Sequence, residues 1–428
     1  MVSTVMRGSI TSRFMCLGLG LCLGVPGLLA ADTPSASAAT SKAPIILGYI
    51  GDQTGVSAST FADGTGGAQA RIDLQNAHGG VDGRKLELVA VDSTSSTSGT
   101  ATAVQDLISN HHVFGIVEDS AFFFGGAKFA QQAGVPVTGY GIDGPEWLEQ
   151  PNTNMFDVVP TSYTPLGGYY YGSTLLAQFF KDRGVTKAGV LGYGISPSAT
   201  QGVEEAVYED KLLGIANCDE DLSIPFGGVD FTTTVLRLKA DGCNGYETLF
   251  EDASDIALGQ AVKNAGVPMK AQVMSEGYDN NVLDSATARA AIDGDYFGTV
   301  INFTSPDAAT ETMLAALKKY DHGFTGIPDL GLYSGYLSAD LMIYGLEHAG
   351  ANPSQASFIK NLRQVGGYTA GGILPEPTTF EHFGTAAMLP KSSCEYFVQL
   401  KGSKFVVVNG GKPVCGKSVK IPPSALKS

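Results

Sequence analysis

The feature that most constrains this chain is a hydrophobic period that keeps switching between strand and helix. Residues 45–50 (IILGYI) form a short Ile-rich run between Pro44 and Gly51, the pattern of a buried strand. Residues 66–77 place Ala68, Ile72 and Ala77 at helical spacing and stop at His78-Gly79-Gly80, a helix end followed by a turn. Strands are then predicted at 86–91, 113–117 and 135–137, with helices at 100–109 and 123–133. Such alternation predicts a parallel sheet with helices on both faces.

The pattern resumes after Pro160. It predicts a helix over 166–183, a strand at 188–193, a helix at 201–213 and a strand at 247–250. A helix at 256–265 and a strand at 272–274 follow. The chain therefore reads as two α/β units joined near residue 160. Further on, 296–303 reads as a strand, and 308–320, 334–349 and 357–365 as helices. The tail differs: strands at 395–401 and 404–408 meet at Gly402-Ser403, a two-residue turn suited to a hairpin. Cys394 and Cys415 flank that hairpin and are expected to staple it.

The first forty residues read as an address. Arg7 and Arg13 precede an apolar run over 14–30, and Ala36-Ser37-Ala38 is a small-residue cleavage site. The run is about 17 residues, broken by glycines and Pro26, against the ~20 needed to span a membrane. Residues 1–38 are therefore expected to be a signal peptide. Cys22 as a lipid-modified residue is the alternative, with a bulky Leu21 before it. Four cysteines remain, Cys218, Cys243, Cys394 and Cys415. An even count in an exported chain suggests disulfides, and sequence neighbours are the favoured pairs. No C-x-x-C spacing supports a metal site.

Composition excludes several classes. With 27 Lys+Arg against 42 Asp+Glu, the net charge is −15, which argues against nucleic acid as a partner. Hydrophobic content of 43% allows a sizeable core and excludes a disordered chain. No H-e-x-x-h metal spacing, nucleophile elbow or phosphate-cradling loop occurs. Gly139 to Gly144 matches G-x-G-x-x-G after a strand, yet it follows the fourth strand and lacks the expected acid about 20 residues on. A strand-to-helix loop opening at Pro145 is the plainer reading. No enzyme, cofactor or metal site is expected.

Four acids, Asp119, Asp143, Glu251 and Glu276, each sit just after a predicted strand. Ligands of parallel α/β sheets bind outside the carboxyl ends of strands, so these acids are expected to converge on a cleft. Helix N-capping is the alternative for each. Phe61, Tyr140, Tyr193 and the run Phe122-Phe123-Phe124 flank the same strand ends.

The segment from Gly67 to Asp92, GAQARIDLQNAHGGVDGRKLELVAVD, resembles the type I periplasmic solute-binding proteins of the leucine/isoleucine/valine-binding group. The matching residues are Gly67-Ala68, Asn76, Gly79-Gly80, the run Gly83-Arg84-Lys85-Leu86-Glu87-Leu88, and Asp92. Looser matches are Gly134-Val135-Pro136-Val137, Pro145-Glu146, and Ser275-Glu276-Gly277. The resemblance spans roughly 44–385. It implies two Rossmann-like lobes with parallel central sheets, three crossovers, and a ligand clamped in the cleft between them. Lobe 1 would be 44–160 plus 299–378. Lobe 2 would be 161–298 plus 379–428, with crossings near Pro160, Phe297 and Pro377.

By the same resemblance, Asp119-Ser120-Ala121 and Gly141-Ile142-Asp143 would face a ligand carboxylate. Glu276 would meet a ligand ammonium, Ser198-Ala199 stands where relatives carry an aromatic residue, and Glu251 falls at another such place. Asp119 and Asp143 would repel a carboxylate by ~4 kcal/mol at close range. The cleft is therefore expected to suit a cation, an amide or a polyhydroxylated solute. The implied function is an extracytoplasmic receptor of an ABC transporter of the branched-chain amino acid uptake family. It would act as a monomer with a membrane permease as partner, in the periplasm or on the outer face of the cell. A sensor subunit feeding a signalling receptor and an exported enzyme are the alternatives.

Overall fold

The computed structural model describes residues 42–426, with residue 276 excepted. The expected signal peptide, Cys16 and Cys22 lie outside the described residues, as does Glu276. The first sheet holds β1 (Ile45–Gly51), β2 (Leu86–Asp92), β3 (Gly115–Asp119), β4 (Val137–Gly139) and β5 (Met155–Asp157). All neighbours are parallel, in the order β2-β1-β3-β4-β5. β1 is a nearly continuous apolar, buried run, as a strand covered on both faces must be, and β3 is buried along its whole length although it ends in Glu118-Asp119.

The second sheet begins with β6 (Ser162–Leu166) and β7 (Tyr169–Ser173). Its parallel core follows: β8 (Lys187–Gly192), β9 (Ala216–Asp221), β10 (Gly245–Leu249), β11 (Ala271–Met274) and β12 (Tyr296–Thr299). β13 (Gly366–Tyr368) and β14 (Thr378–Thr379) make a small separate pair. β15 (Ser392–Lys401), β16 (Lys404–Val407) and β17 (Val414–Ile421) then return to the second sheet as antiparallel strands. The chain thus passes between the two sheets three times. Both parallel cores have the same winding: β9-β8-β10-β11-β12 repeats β2-β1-β3-β4-β5.

The helices are α1 (Ala58–Phe61), α2 (Gly64–Ala77), α3 (Thr97–Ser109) and α4 (Ala127–Ala133) in the first stretch. Next come α5 (Leu175–Asp182), α6 (Pro197–Leu212), α7 (Thr232–Ala240), α8 (Asp252–Ala265), α9 (Asn280–Asp284) and α10 (Ala286–Ile292). The last are α11 (Ala308–Tyr320), α12 (Leu330–His348) and α13 (Gln355–Leu362). Helix α12 is buried on nearly every side, and its mixed small and apolar surface suits that place. It returns from the second half of the sequence to pack on β3, β4 and α2. Glycines let α2 and α12 approach closely: a Cβ on Gly67 would overlap the Leu332 carbonyl, and one on Gly335 would overlap that of Gly64. Arg71 Nε donates to Asp340 at 2.6 Å and ties the same two helices. Among the described residues no helix is long and apolar enough to cross a membrane.

Three local expectations are corrected. The helix expected at 166–183 is a β-hairpin followed by the shorter α5, because Gly167 and Gly168 at φ 60° and 85° turn the chain and Tyr169-Tyr170-Tyr171 pairs as a strand. The helix expected at 123–133 starts later, at Ala127, after a tight turn over 123–125. Cys394–Cys415 does not close the β15–β16 hairpin. It joins register partners on β15 and β17, while Cys218 on β9 pairs with Cys243 before β10.

Candidate functional site

In a doubly wound sheet the crevice opens where the winding reverses, between the first strand and the third. That point lies between β1 and β3 in the first sheet, and between β8 and β10 in the second. The loops after these strands face one another across a cavity of about 270 Å³. Phe61, Thr60, Ala121 and Ile142 line it from the first side. Tyr193, Ser196, Ala199, Phe250 and Glu251 line it from the second. Phe226 stacks on Tyr193 at 4.3 Å between ring centres and touches Phe122 across the cleft at 5.0 Å.

Two helix starts fix the second wall. Ser196 accepts from the Ala199 N–H at 3.2 Å and caps α6, with Pro197 at its first position. This sets Ser198 and Ala199 on the cavity. Glu251 caps α8, accepting from Ala253 N at 2.7 Å and Ser254 N at 3.3 Å. It also accepts from Tyr193 Oη at 2.8 Å and, across the cleft, from Ser59 Oγ at 3.2 Å. Glu251 is thus both a cap and a cleft residue. The neighbouring Glu251 carboxylate and burial push the Tyr193 phenol upward, burial being the larger cause.

The first-side acids are placed differently from expectation. Asp119 is buried at the end of β3, where Tyr49 Oη donates to it at 3.0 Å and Ser334 Oγ also donates. Asp143 accepts from Trp147 Nε1 at 2.7 Å and Phe124 N at 3.0 Å. Neither lines the cavity; both turn into their own half, and burial raises both carboxyls. Gly141 is also off the cavity, its N–H held by Asp157 at 2.9 Å. Of the sequence-derived candidates, Phe61, Ala121, Tyr193, Ala199 and Glu251 are brought together.

Sequence reasoning missed Asp52, the residue directly after β1. It is fully buried and accepts from Ser120 Oγ at 2.6 Å, Ala121 N at 2.9 Å and Ser93 Oγ. The hydroxyl and N–H that the resemblance assigned to a ligand carboxylate are therefore taken by the protein's own carboxylate. Burial lifts the Asp52 carboxyl from 3.8 to about 6, against the pull of those three donors. It remains mainly ionised at pH 7 and sits at the winding reversal of the first sheet. Its position after a strand was a readable signal, the same one that singled out Asp119.

Twin doubly wound sheets joined by three passes, with a cavity between their reversal points, define a two-sided solute-binding architecture. The periplasmic binding protein family matches residues 44–412, and the chain belongs to it. Leu/Ile/Val-binding protein homolog 7 of Brucella suis biovar 1 (strain 1330) is 26% identical over 313 residues, covering 70% of this chain and 75% of the relative. The counterpart in Brucella abortus (strain 2308) is 26% identical over 298 residues, covering 67% and 73%. Among solved structures, a leucine binding protein from Thermotoga maritima superposes with a TM-score of 0.69 at 15% identity, covering 89% of this chain and 100% of that one. A branched chain amino acid ABC transporter protein from Thermus thermophilus, with bound valine, gives 0.70 at 16% identity, covering 87% and 96%. An R. palustris solute binding protein in complex with benzoate gives 0.68 at 15%, covering 88% and 97%.

Proposed function

We propose that this protein is an exported solute receptor that hands its ligand to the membrane permease of an ABC transporter, without chemical turnover. The observation that carries the reading is the 270 Å³ cavity between two winding-reversal points, walled from both sides of the molecule. The names of the Brucella relatives and of the solved transport proteins support the transporter assignment. Residues 44–160 with the returning helices α11 to α13 act as one lobe, and the second sheet with its helices as the other. A solute between Phe61 and the Tyr193–Phe250 wall touches both lobes at once and so favours their closure.

The solute differs from an ordinary α-amino acid in how it is held. Asp52 occupies the carboxylate seat, and a second carboxylate beside it would be repelled by ~4 kcal/mol. The cavity therefore selects a small solute with an apolar body and no carboxylate at the Ser120–Ala121 loop. Native mass spectrometry of the purified mature chain, followed by calorimetry with the recovered compound, tests the reading. A retained small molecule whose binding Phe61→Ala weakens at least tenfold is expected. Binding indifferent to both Phe61→Ala and Tyr193→Ala would refute the site.

A further inference from the structure

Beside the candidate cavity lies a chamber, walled mainly by the second half, that no part of the receptor reading uses. Two further cavities, of about 230 and 240 Å³, adjoin the first. The first of them shares Thr161, Gly202, Glu205 and Leu249 with the solute cavity, so the two spaces lie side by side with these residues as a common wall. Their walls carry Glu205 and Glu209 from α6, Glu247 from β10 and Glu395 from β15. Among the described residues no Lys or Arg lines any of the three.

Glu247 is the informative residue. It is 4% exposed, lines both chambers, and its Oε2 has no hydrogen-bond partner among the described residues. A buried carboxyl left unpaired costs stability unless something else meets it. Glu205 lies on the wall common to the solute cavity and the chamber and accepts from Gln201 Nε2 at 2.7 Å. The surrounding titratable groups are Asp210 on α6, Tyr163 on β6 and Tyr171 on β7. All are acids or phenols.

Resting on the receptor reading, we infer that the solute is an amine: its apolar body lies between Phe61 and Phe250, and its ammonium enters the chamber lined by Glu205, Glu209 and Glu247. Burial raises the carboxyls of Glu209 and Glu247 well above the usual carboxylate range, and lifts Glu205 to about 8 and the neighbouring Glu395 to about 7, so the chamber still carries protons at neutral pH. Entry of the ammonium stabilises a carboxylate, and the carboxyl proton leaves to solvent. One cation enters and one proton departs, so the net charge of the chamber is unchanged by binding. Affinity therefore rises as pH climbs through 7 to 8, and binding releases a proton.

The test is titration calorimetry on the mature chain with phenethylamine, phenethyl alcohol and hydrocinnamate, which share a body and differ in charge. Phenethylamine is expected to bind at least tenfold more tightly than the other two at pH 8, and to lose at least tenfold at pH 6. Its heat should scale with buffer ionisation enthalpy, reporting proton release. Glu247→Gln keeps the shape of the side chain and should weaken the amine at least tenfold while leaving the alcohol unchanged. Circular dichroism of that variant verifies its fold. Equal affinity for the three compounds, or an amine indifferent to Glu247→Gln, overturns the inference. If Phe61→Ala still weakens the alcohol in that case, the cleft receptor survives alone; if no compound and no recovered solute binds, both readings fall.

Discussion

Replacing Asp52 with Ala should convert a self-occupied carboxylate seat into an open one. Three donors converge there in the native chain, from Ser93, Ser120 and Ala121. Alanine leaves them facing a void of carboxylate size, at a cost of roughly 1–3 kcal/mol for each donor that finds no other partner. Against this, the native carboxyl is raised from 3.8 to about 6, so its ionisation costs about 3 kcal/mol of stability at pH 7. The sign follows from the direction: a raised acid is held more tightly in the folded state. Its favourable contribution is full below pH 3.8 and is lost as pH rises through 6. The difference between wild-type and D52A stability curves should show that decline and then flatten. Added acetate should rescue the variant by supplying the missing carboxylate. With acetate at about a hundred times its dissociation constant the gain is about 2.7 kcal/mol. That corresponds to a rise in Tm of about 3 °C for a chain of this size. Differential scanning calorimetry in acetate against matched chloride reads it. A folded D52A protein with no acetate response, or a wild type that responds equally, would refute the self-occupied seat.

Gly67→Ala should destabilise by about 3 kcal/mol or more, since its Cβ would overlap the Leu332 carbonyl between two packed helices; a Tm within a degree of wild type would contradict the packing. Serine replacement of Cys218 and Cys243, or of Cys394 and Cys415, should each cost about 3 kcal/mol in urea unfolding, because the loops they close span 25 and 21 residues. Arg71→Met strands Asp340, whose remaining partner is Tyr368 Oη at 2.8 Å. A loss of about 3 kcal/mol is expected, most of it recovered when Asp340→Asn is added.

The alternation of strand and helix was legible because parallel strands buried on both faces are bounded apolar runs. Residues 45–51 show this plainly. β9 escaped notice because Ala-Asn-Cys-Asp-Glu-Asp has no apolar face; it is an edge strand, held by β8 and by the Cys218 bridge. Strand ends were found by their acids, but a strand end does not say which way a carboxylate turns. Asp119 and Asp143 turn inward because Tyr49, Ser334 and Trp147, distant or unremarkable in sequence, supply donors there. Glu205 and Glu209, four apart on α6, resemble a solvated helix face. The hairpin β6–β7 and the returning strand β17, packed against α6, help to bury them.

The contacts that bridge the cleft explain how a small solute can govern closure. Among the described residues three hydrogen bonds link the two sides: Ser59 Oγ to Glu251 at 3.2 Å, Asp252 N to Thr60 Oγ1 at 3.2 Å, and Asn280 Nδ2 to the Ile327 carbonyl at 3.3 Å. Each is worth about 1 kcal/mol net, so the empty closed state is lightly held. Glu251 needs no rearrangement on closing, because Tyr193 and the start of α8 already fix it from its own side. A solute that buries about 100 Å² of apolar surface between Phe61 and Phe250 adds about 2.5 kcal/mol, present only when both walls touch it. That is comparable to what the bridging bonds supply together and shifts the closed-to-open ratio by more than tenfold. The aromatic wall thus favours closure around many apolar bodies alike. Discrimination among them falls to the charges behind that wall, where Asp52 excludes one sign of ligand and Glu247 awaits the other.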